Sequence, residues 1–348
     1  MKLYHFLFVW TLLTCLVACN VKPGHTTVKG EEISFKYAKL VRAERLDGKV
    51  SIEIRNPWDT TTILRSICVK TPIENAAVYS ATHAALLQEL GVAEHIGGIF
   101  DVNYLSNKDL HERLSSGDIR NLGNSNAVNI EQVMDLRPDL LMPSPYESQG
   151  GYGRLEQMNI PIMECADYME ISPLARAEWI RVYGMLFGVE QRADSLFEEV
   201  EKKYHELKSM ASKQSNKVRL LTERPYGGAW HVPCGESTTG LLYQDAGAEY
   251  VFAHLPGSGA QAVSIEKVLE QGMTANLWLI KSYGPLSRTQ LEQDCPAAKL
   301  IPARLAVCDT KKIPYFEETP FHPEYLLENL IALLHPELGI VPKKVYFE

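Results

Sequence analysis

The chain lacks clustered basic residues and the common catalytic motifs. Its 348 residues include 35 lysines and arginines against 43 aspartates and glutamates, a formal net charge of -8. The basic residues are scattered, so no positive field for nucleic acid is expected. A phosphate-binding loop with its lysine, a G-x-S-x-G turn and an H-E-x-x-H helix are all missing. The sequence therefore favours neither nucleic-acid binding nor catalysis, and we expect a protein that is not an enzyme.

Cysteine and histidine are too few and too scattered for a disulfide scaffold or a metal cage. Five cysteines follow Cys19, and an odd number argues against a disulfide framework. The nearest pair, Cys295 and Cys308, leaves two alternatives, a bridge or two isolated buried thiols. No histidine near a predicted loop is paired with another at ligand spacing; these are His83, His231, His254 and His322. We therefore expect no resident metal or cofactor.

The N-terminus has the form of a secretory signal. An apolar run at residues 7–17 follows Lys2 and is too short to span a bilayer. It ends in Leu-Val-Ala-Cys at Cys19, which resembles a bacterial lipobox, where the cysteine becomes the lipidated N-terminus. The alternative is an ordinary signal peptide that happens to contain a cysteine. The sequence predicts a signal at 1–18, a lipid anchor at Cys19 on the periplasmic side of a bacterial membrane, and a tether at 19–32.

One phrase occurs once in each half of the chain. A-V-N-I-E-Q-V spans residues 127–133, and A-V-S-I-E-K-V spans residues 262–268. After the length of a helix, each copy is followed by a short apolar run that predicts a buried strand, at 139–142 and 277–280. Helix followed by strand at matching places predicts two lobes of similar structure.

Each copy has the features of a helix start. Asn129 and Ser264 stand where an N-cap side chain accepts a free backbone N–H. Glu131 and Glu266 follow in the first turn, where the helix dipole favours a carboxylate. Taken alone, the two glutamates could simply stabilise their helices.

The remaining pattern predicts an α/β fold. The Asp47-Gly48 turn between alternating segments at 36–43 and 50–55 predicts an antiparallel β-hairpin. Apolar strands then alternate with amphipathic helices, which is typical of parallel sheets with crossover helices. Helices are expected near 82–90, 130–136, 153–158, 237–246, 264–271, 287–294 and 322–334. Strands are expected near 77–79, 96–99, 139–142, 160–164, 218–222, 277–280 and 304–308.

Between the two halves, residues 172–212 have a helical pattern that is interrupted only near 184–188. We expect two Rossmann-like α/β lobes, at 33–171 and 213–348, joined by one long rigid α-helix over 172–212. The β-hairpin is an addition to the first lobe.

Aromatic residues concentrate in loops predicted to follow strands. Ligands of open α/β sheets bind beyond the carboxyl ends of the strands, and aromatic faces suit a large, flat or partly apolar molecule. Each aromatic residue could instead pack beneath its own loop. The candidates are Phe100, Tyr104, Tyr146, Tyr152, Tyr226, Trp230, Tyr283, Tyr315, Phe316 and Phe321.

Together these features resemble the substrate-binding lipoproteins of bacterial ABC importers for iron–siderophores, haem and cobalamin, the class III periplasmic binding proteins. The resemblance covers roughly residues 75–335. Its best markers are V-N-I-E-Q-V-M-D-L-R-P-D-L-L (128–141), R-P-Y-G-G-A-W-H-V-P-C-G (224–235), V-S-I-E-K-V-L-E (263–270) and F-H-P-E-Y-L-L-E-N-L-I-A-L-L-H-P-E-L (321–338).

The resemblance implies a function. A ligand that carries its own iron or cobalt would lie in the cleft between the lobes of a monomer. Glu131 and Glu266 would pair with arginines of an inner-membrane permease dimer that works with an ATPase, and these charges would guide docking. The stiff helix would limit hinge motion.

The resemblance does not fix the ligand. A haem receptor would use an axial tyrosine or histidine, for which Tyr104, Tyr146, His231 and His322 are candidates. Residues 123–126 lack the tryptophan that cobalamin binders can place there, and the hairpin at 33–70 is extra to the minimal fold.

Two other functions remain open. The same bilobal plan could serve an extracytoplasmic chelatase, which would need a titratable His–Glu pair in the cleft. It could also serve a surface lipoprotein that scavenges a ligand without a permease.

Overall fold

The computed structural model describes residues 30–125, 127–146 and 152–348. The predicted signal segment, Cys19 and most of the tether lie outside the described residues. Within the described part, no helix is both long and apolar enough to cross a membrane.

An antiparallel sheet of four strands precedes the first lobe, in the order β1-β2-β3-β4. Its strands are β1 (Glu31–Ile33), β2 (Val41–Leu46), β3 (Lys49–Arg55) and β4 (Ile63–Lys70). The predicted turn is present, with Gly48 at a φ of 63°. The hairpin is therefore real, but it belongs to a larger sheet, and its first strand starts at Val41 instead of near residue 36.

Residues 36–40, between β1 and β2, do not join the sheet because two buried carboxylates take their backbone N–H groups. Glu178 accepts from residues 36, 37 and 38 at 2.7–2.8 Å. Glu170 accepts from residues 39 and 40 at 2.9 Å. Burial raises the pKa of Glu170, against the effect of these hydrogen bonds. This segment forms a strap, residues 36–40, that ties the added sheet to the start of the interlobe connection.

The first lobe has a parallel sheet in the order β10-β5-β6-β7. Its elements are β5 (Ala76–Val78), α1 (Ala81–Glu89), β6 (Ile96–Ile99), α2 (Lys108–Ser116), β7 (Arg120–Asn121), β8 (Gly123–Asn124), β9 (Ala127–Val128), α3 (Ile130–Leu136), β10 (Leu140–Met142) and α4 (Arg154–Gln157). The strand predicted at 160–164 reduces to one parallel bridge between Ile162 and Leu141. Pro161 has no N–H to donate, which limits further pairing.

Three helices, not one, connect the lobes: α5 (Pro173–Ala177), α6 (Trp179–Leu186) and α7 (Glu190–Ser212). The sequence predicts that the connection over 172–212 is one helix interrupted only near 184–188. Gly188, with a φ of 70°, ends α6 at that place, whereas the break at Glu178 between α5 and α6 was not predicted. The 23-residue α7 is the long connecting helix. Ala193 near its start packs in the core of the first lobe, whereas Val200 and Leu207 pack in the core of the second.

The second lobe has a parallel sheet in the order β13-β11-β15-β16. Its elements are β11 (Arg219–Thr222), β12 (Trp230–Pro233), α8 (Thr238–Asp245), β13 (Glu249–Tyr250), β14 (Ala260–Val263), α9 (Ile265–Gly272), β15 (Leu277–Ser282), α10 (Arg288–Asp294), β16 (Arg304–Asp309), α11 (Tyr315–Glu318) and α12 (Pro323–Leu334). Short 3-10 helices lie at Ala93–His95, Val102–Tyr104, Ala166–Met169, Pro296–Leu300 and Pro336–Leu338. The expected fold class, two α/β lobes joined by a long helix, is confirmed.

Candidate functional site

Exposed aromatic side chains gather at the carboxyl edges of the two parallel sheets. Among the described residues, every tyrosine, phenylalanine or tryptophan in the exposed class follows a sheet strand or strand-like segment of its lobe. The first lobe contributes Tyr104, Tyr146 and Tyr168, and the second contributes Tyr226, Tyr283 and Phe316. Exposed apolar surface is costly in water, and the concentration of aromatic rings at one edge of each lobe makes that edge the candidate ligand-binding surface.

The most exposed of these aromatics, Tyr226, stands at the tip of a tight turn. Its backbone N–H donates to Ala229 O at 2.8 Å, and the return hydrogen bond is 3.2 Å. Gly227 and Gly228 between them have φ values of 60° and 84°, a conformation that favours glycine at both positions. The side chain is 85% exposed, so the turn displays the ring without packing it.

The floor between the lobes is a cavity of about 190 Å³. Helices α1 and α8 both begin here, capped by Ser80 and Ser237, and neither has an acidic residue in its first turn. The cavity is lined by Thr82, Arg176, Thr238, Thr239, Lys281 and Tyr315, among others. Two helix N-termini, two cations and the hydroxyl groups of these threonines and this tyrosine favour a negative charge at this place.

Both floor cations are held by carboxylates. Arg176 Nε lies 3.2 Å from Asp167 Oδ2, and Asp167 Oδ1 lies 2.8 Å from His83 Nε2. Burial opposes ionisation of Asp167, but His83 and Arg176 outweigh it and lower its pKa.

Lys281 also lines the floor cavity and forms an ion pair with Glu223. Burial disfavours its charge, but Glu223 outweighs that effect and raises the pKa of Lys281. Lys281 therefore stays charged at neutral pH.

Two predicted ligand residues are core residues instead. Phe100 and Trp230 have no exposed surface. Phe100 stacks on Tyr79 with ring centroids 3.9 Å apart, and Trp230 stacks on Trp278 at 5.7 Å. Both side chains point into the layer between sheet and helices. The prediction that they contact a ligand is therefore corrected.

His322 is also unavailable as an axial ligand. Its ring is 4% exposed, with Nδ1 2.8 Å from Glu324 Oε1 and Nε2 2.9 Å from Glu89 Oε1. It lies beside a larger interlobe cavity of about 900 Å³ that α11 separates from the floor cavity. With both ring nitrogens engaged, it has no free lone pair for a metal.

The other candidates divide between surface and interior. Tyr104, Tyr146, Tyr283 and His231 are exposed. Tyr152 is half-buried, with Arg65 5.6 Å over its ring. Tyr315 is 7% exposed and lies under Lys281 in the floor, and Phe321 is buried. The exposed residues, Tyr152 and Tyr315 stay ligand-contact predictions.

The Glu89–His322 contact joins the two lobes and should make stability depend on pH. Burial alone would lower the pKa of His322, but Glu324 and Glu89 raise it from 6.5 to about 9. The contact then stabilises fully below about pH 6.5 and is lost as the pH rises through about 9. Across that pH range, we expect the free energy of unfolding of wild type to fall by about 1–3 kcal/mol more than that of His322→Gln, as measured by urea unfolding. The same pH dependence of the free energy of unfolding in both proteins would contradict this prediction.

The two repeated glutamates lie as the sequence predicts. Asn129 accepts from Gln132 N at 3.2 Å, and Ser264 accepts from Lys267 N at 3.4 Å. Glu131 and Glu266 are exposed, and neither is in an ion pair with another described residue. The pKa of Glu266 is lowered by its own backbone N–H and by Ser264. Each lobe thus presents an uncompensated carboxylate on an equivalent helix.

Sequence reasoning missed the floor cations. Lys281 interrupts the buried strand L-W-L-I-K-S, and a charge within an apolar run was an available signal. Arg176 had no comparable signal.

Cys295 and Cys308 are free thiols, as are the other described cysteines. The described residues include no group of three or more histidine, cysteine or acidic side chains arranged to hold a metal ion.

The sequence matches the model of the periplasmic binding protein family over residues 76–303. This chain belongs to that family, and the resemblance seen in its motifs is confirmed. The added N-terminal sheet precedes the matched region. The chain is also 22% identical over 283 residues to an uncharacterised lipoprotein of Methanocaldococcus jannaschii, covering 77% of this chain and 67% of that one.

Solved structures have the same fold at low sequence identity. A periplasmic haem-binding protein from Pseudomonas aeruginosa aligns with a TM-score of 0.59 and 18% identity, over 79% of this chain and 97% of that one. The molybdate periplasmic binding protein of Haemophilus influenzae aligns with a TM-score of 0.63 and 18% identity, over 82% of this chain and 91% of that one. An Fe3+-hydroxamate transport protein of Saccharomonospora viridis aligns with a TM-score of 0.58 and 18% identity, over 81% of this chain and 97% of that one.

Proposed function

We propose that the chain is the lipid-anchored substrate-binding component of an ABC importer, and that it captures an anionic metal chelate between its lobes. The observation that carries this is the set of exposed aromatics, three from each lobe, at the carboxyl edges of the sheets. A receptor needs such a preformed surface on both sides of its ligand, with few polar groups to orient it.

The chemistry of the cleft favours a chelate that is flat or partly apolar and carries negative charge. Aromatic faces would cover its organic part, while Arg176 and Lys281 in the floor would attract a carboxylate or hydroxamate oxygen. Siderophore complexes and haem have this combination, and relatives of the same fold are described as binding haem or transporting Fe3+-hydroxamate. The ligand brings its own metal, and the protein needs no cofactor.

A second candidate ligand is a free tetrahedral oxyanion. The floor cavity of about 190 Å³ is large enough for a small anion, and a relative of the same fold is described as bound to molybdate. This alternative uses the floor without the aromatic residues.

Lipid anchoring at Cys19 and exposure on the periplasmic side of the membrane are part of the proposal. The support is the lipobox sequence and the similarity to a lipoprotein. A chelatase is disfavoured because His83 is buried against Asp167, and because both ring nitrogens of His322, beside the larger interlobe cavity, are already engaged by Glu324 and Glu89.

The aromatic residues provide the test. We expect Tyr226→Ala with Tyr283→Ala to weaken binding of ferric siderophore or haemin about 10- to 100-fold, since each ring loses its contact with the ligand. Ile63→Ala, at an exposed position at the start of β4 in the added N-terminal sheet, is the control, and it leaves every tryptophan in place. Tryptophan quenching measures both.

An unchanged affinity in the tyrosine double variant would contradict the aromatic site. Molybdate binding that is lost in Lys281→Met but kept in the tyrosine variant would instead select the oxyanion.

A further inference from the structure

The helices that carry the repeated glutamates each expose a methionine as well. Met134 in α3 is 57% exposed, and Met273 at the end of α9 is 53% exposed. Among the described residues, Met210 is the other methionine in the exposed class. Two large unbranched apolar groups in water, one on each repeated helix, are costly unless a partner covers them.

Helix geometry places each methionine on the same face as its glutamate. Met134 follows Glu131 by three residues, and Met273 follows Glu266 by seven. At 100° per residue these separations bring the side chains within about 60° and 20° of the glutamate direction. Met273 keeps the helical course, with φ of -60° and its N–H donating to Leu269 O.

Among the described residues, no cation pairs with either glutamate on this face. The opposite faces of the two helices bury Val133 and Val268 in the lobe cores. Asp135, one turn beyond Glu131, is already paired with Arg120. Glu131 and Glu266 have no such partner within the described chain. A carboxylate and a methionine therefore stand free together on each lobe.

We infer that Glu131 with Met134, and Glu266 with Met273, form a two-part surface for a partner with two equivalent subunits, each offering a cation beside an apolar pocket. This rests on the proposed function, in which that partner is the permease dimer. The carboxylates attract the partner over distance and fix register, and they mainly set the association rate. The methionines are desolvated on contact, adapt to an uneven pocket and set the dissociation rate.

The two halves of the surface are unequal. Along the helix axis, Met134 lies about 4.5 Å from Glu131, whereas Met273 lies about 10.5 Å from Glu266. The first methionine therefore sits beside the ion pair, where contacts around a charge exclude water most effectively. Met134→Ala should weaken docking more than Met273→Ala.

The test uses the full-length protein and its permease–ATPase complex in lipid nanodiscs, with association and dissociation followed by surface plasmon resonance. We expect Met134→Ala with Met273→Ala to raise the dissociation rate about tenfold or more, leaving the association rate and its salt dependence unchanged. Leucine at both positions should restore most of the residence time. Met210→Ala, on α7, is the matched control, and chelate titration checks that each variant is folded.

The outcomes separate the two claims. If the methionine variant dissociates like wild type while Glu131→Ala with Glu266→Ala loses binding, the inference is wrong and the proposed function stands. If wild type itself does not bind the complex, the proposed function fails. A methionine variant altered only in association rate would also overturn the inference.

Discussion

Alanine at both Glu131 and Glu266 is expected to abolish chelate uptake while chelate affinity stays near that of wild type. Both carboxylates are exposed, have no charged partner within the described chain and lie on the outside of their lobes. Their removal leaves the cleft intact but would remove the two proposed ion pairs with the permease, and truncating such a charge pair costs about 2–5 kcal/mol. Uptake of labelled chelate by whole cells measures the first effect, and quenching titration measures the second.

Glu112→Ala with Glu199→Ala is the control for the change in net charge. These residues are exposed and lie on α2 and α7, away from both repeated helices. Normal uptake by the Glu131/Glu266 double variant would remove the docking assignment. Lost chelate affinity in that variant would instead place the glutamates at the ligand.

Glu178→Ala is expected to lower the free energy of unfolding by about 3–5 kcal/mol, the largest stability effect foreseen for a single substitution. Glu178 has no exposed surface and accepts three consecutive backbone N–H groups of the strap. Alanine leaves those donors without an acceptor and releases the strap from the connecting helices. Urea unfolding at neutral pH measures the loss.

Two further variants make this result specific. Glu178→Gln keeps one acceptor oxygen, so its free energy of unfolding should fall less than that of Glu178→Ala. Glu199→Ala removes an exposed carboxylate on α7 and should change stability by less than about 0.5 kcal/mol. An alanine variant as stable as wild type would show that the strap does not depend on this carboxylate.

Sequence patterns predicted the repeated elements well because their signals are local. The helix expected at 130–136 is α3 itself, and the N-caps Asn129 and Ser264 make the expected hydrogen bonds. Strand and helix alternation likewise predicted both lobes. In each case a few neighbouring residues determine the structure through caps and periodicity.

Long-range contacts are what the sequence could not supply. Segment 36–43 has an alternating pattern, yet its first residues are captured by Glu178, which lies 142 positions from Lys36. Phe100 and Trp230 both follow predicted strand ends, but the direction of each ring depends on packing elsewhere in the lobe. Tyr226 and Tyr283, in similar positions, are exposed. Periodicity does not distinguish these outcomes.

The most direct test is a titration of the purified, detergent-solubilised protein with ferric siderophores, haemin, cobalamin and molybdate, followed by tryptophan quenching and visible absorption. The account predicts saturable one-to-one binding of one iron chelate that weakens when Tyr226 and Tyr283 are replaced by alanine. Absence of binding to every metal chelate would contradict it, and so would chelate binding that is unaffected by those replacements.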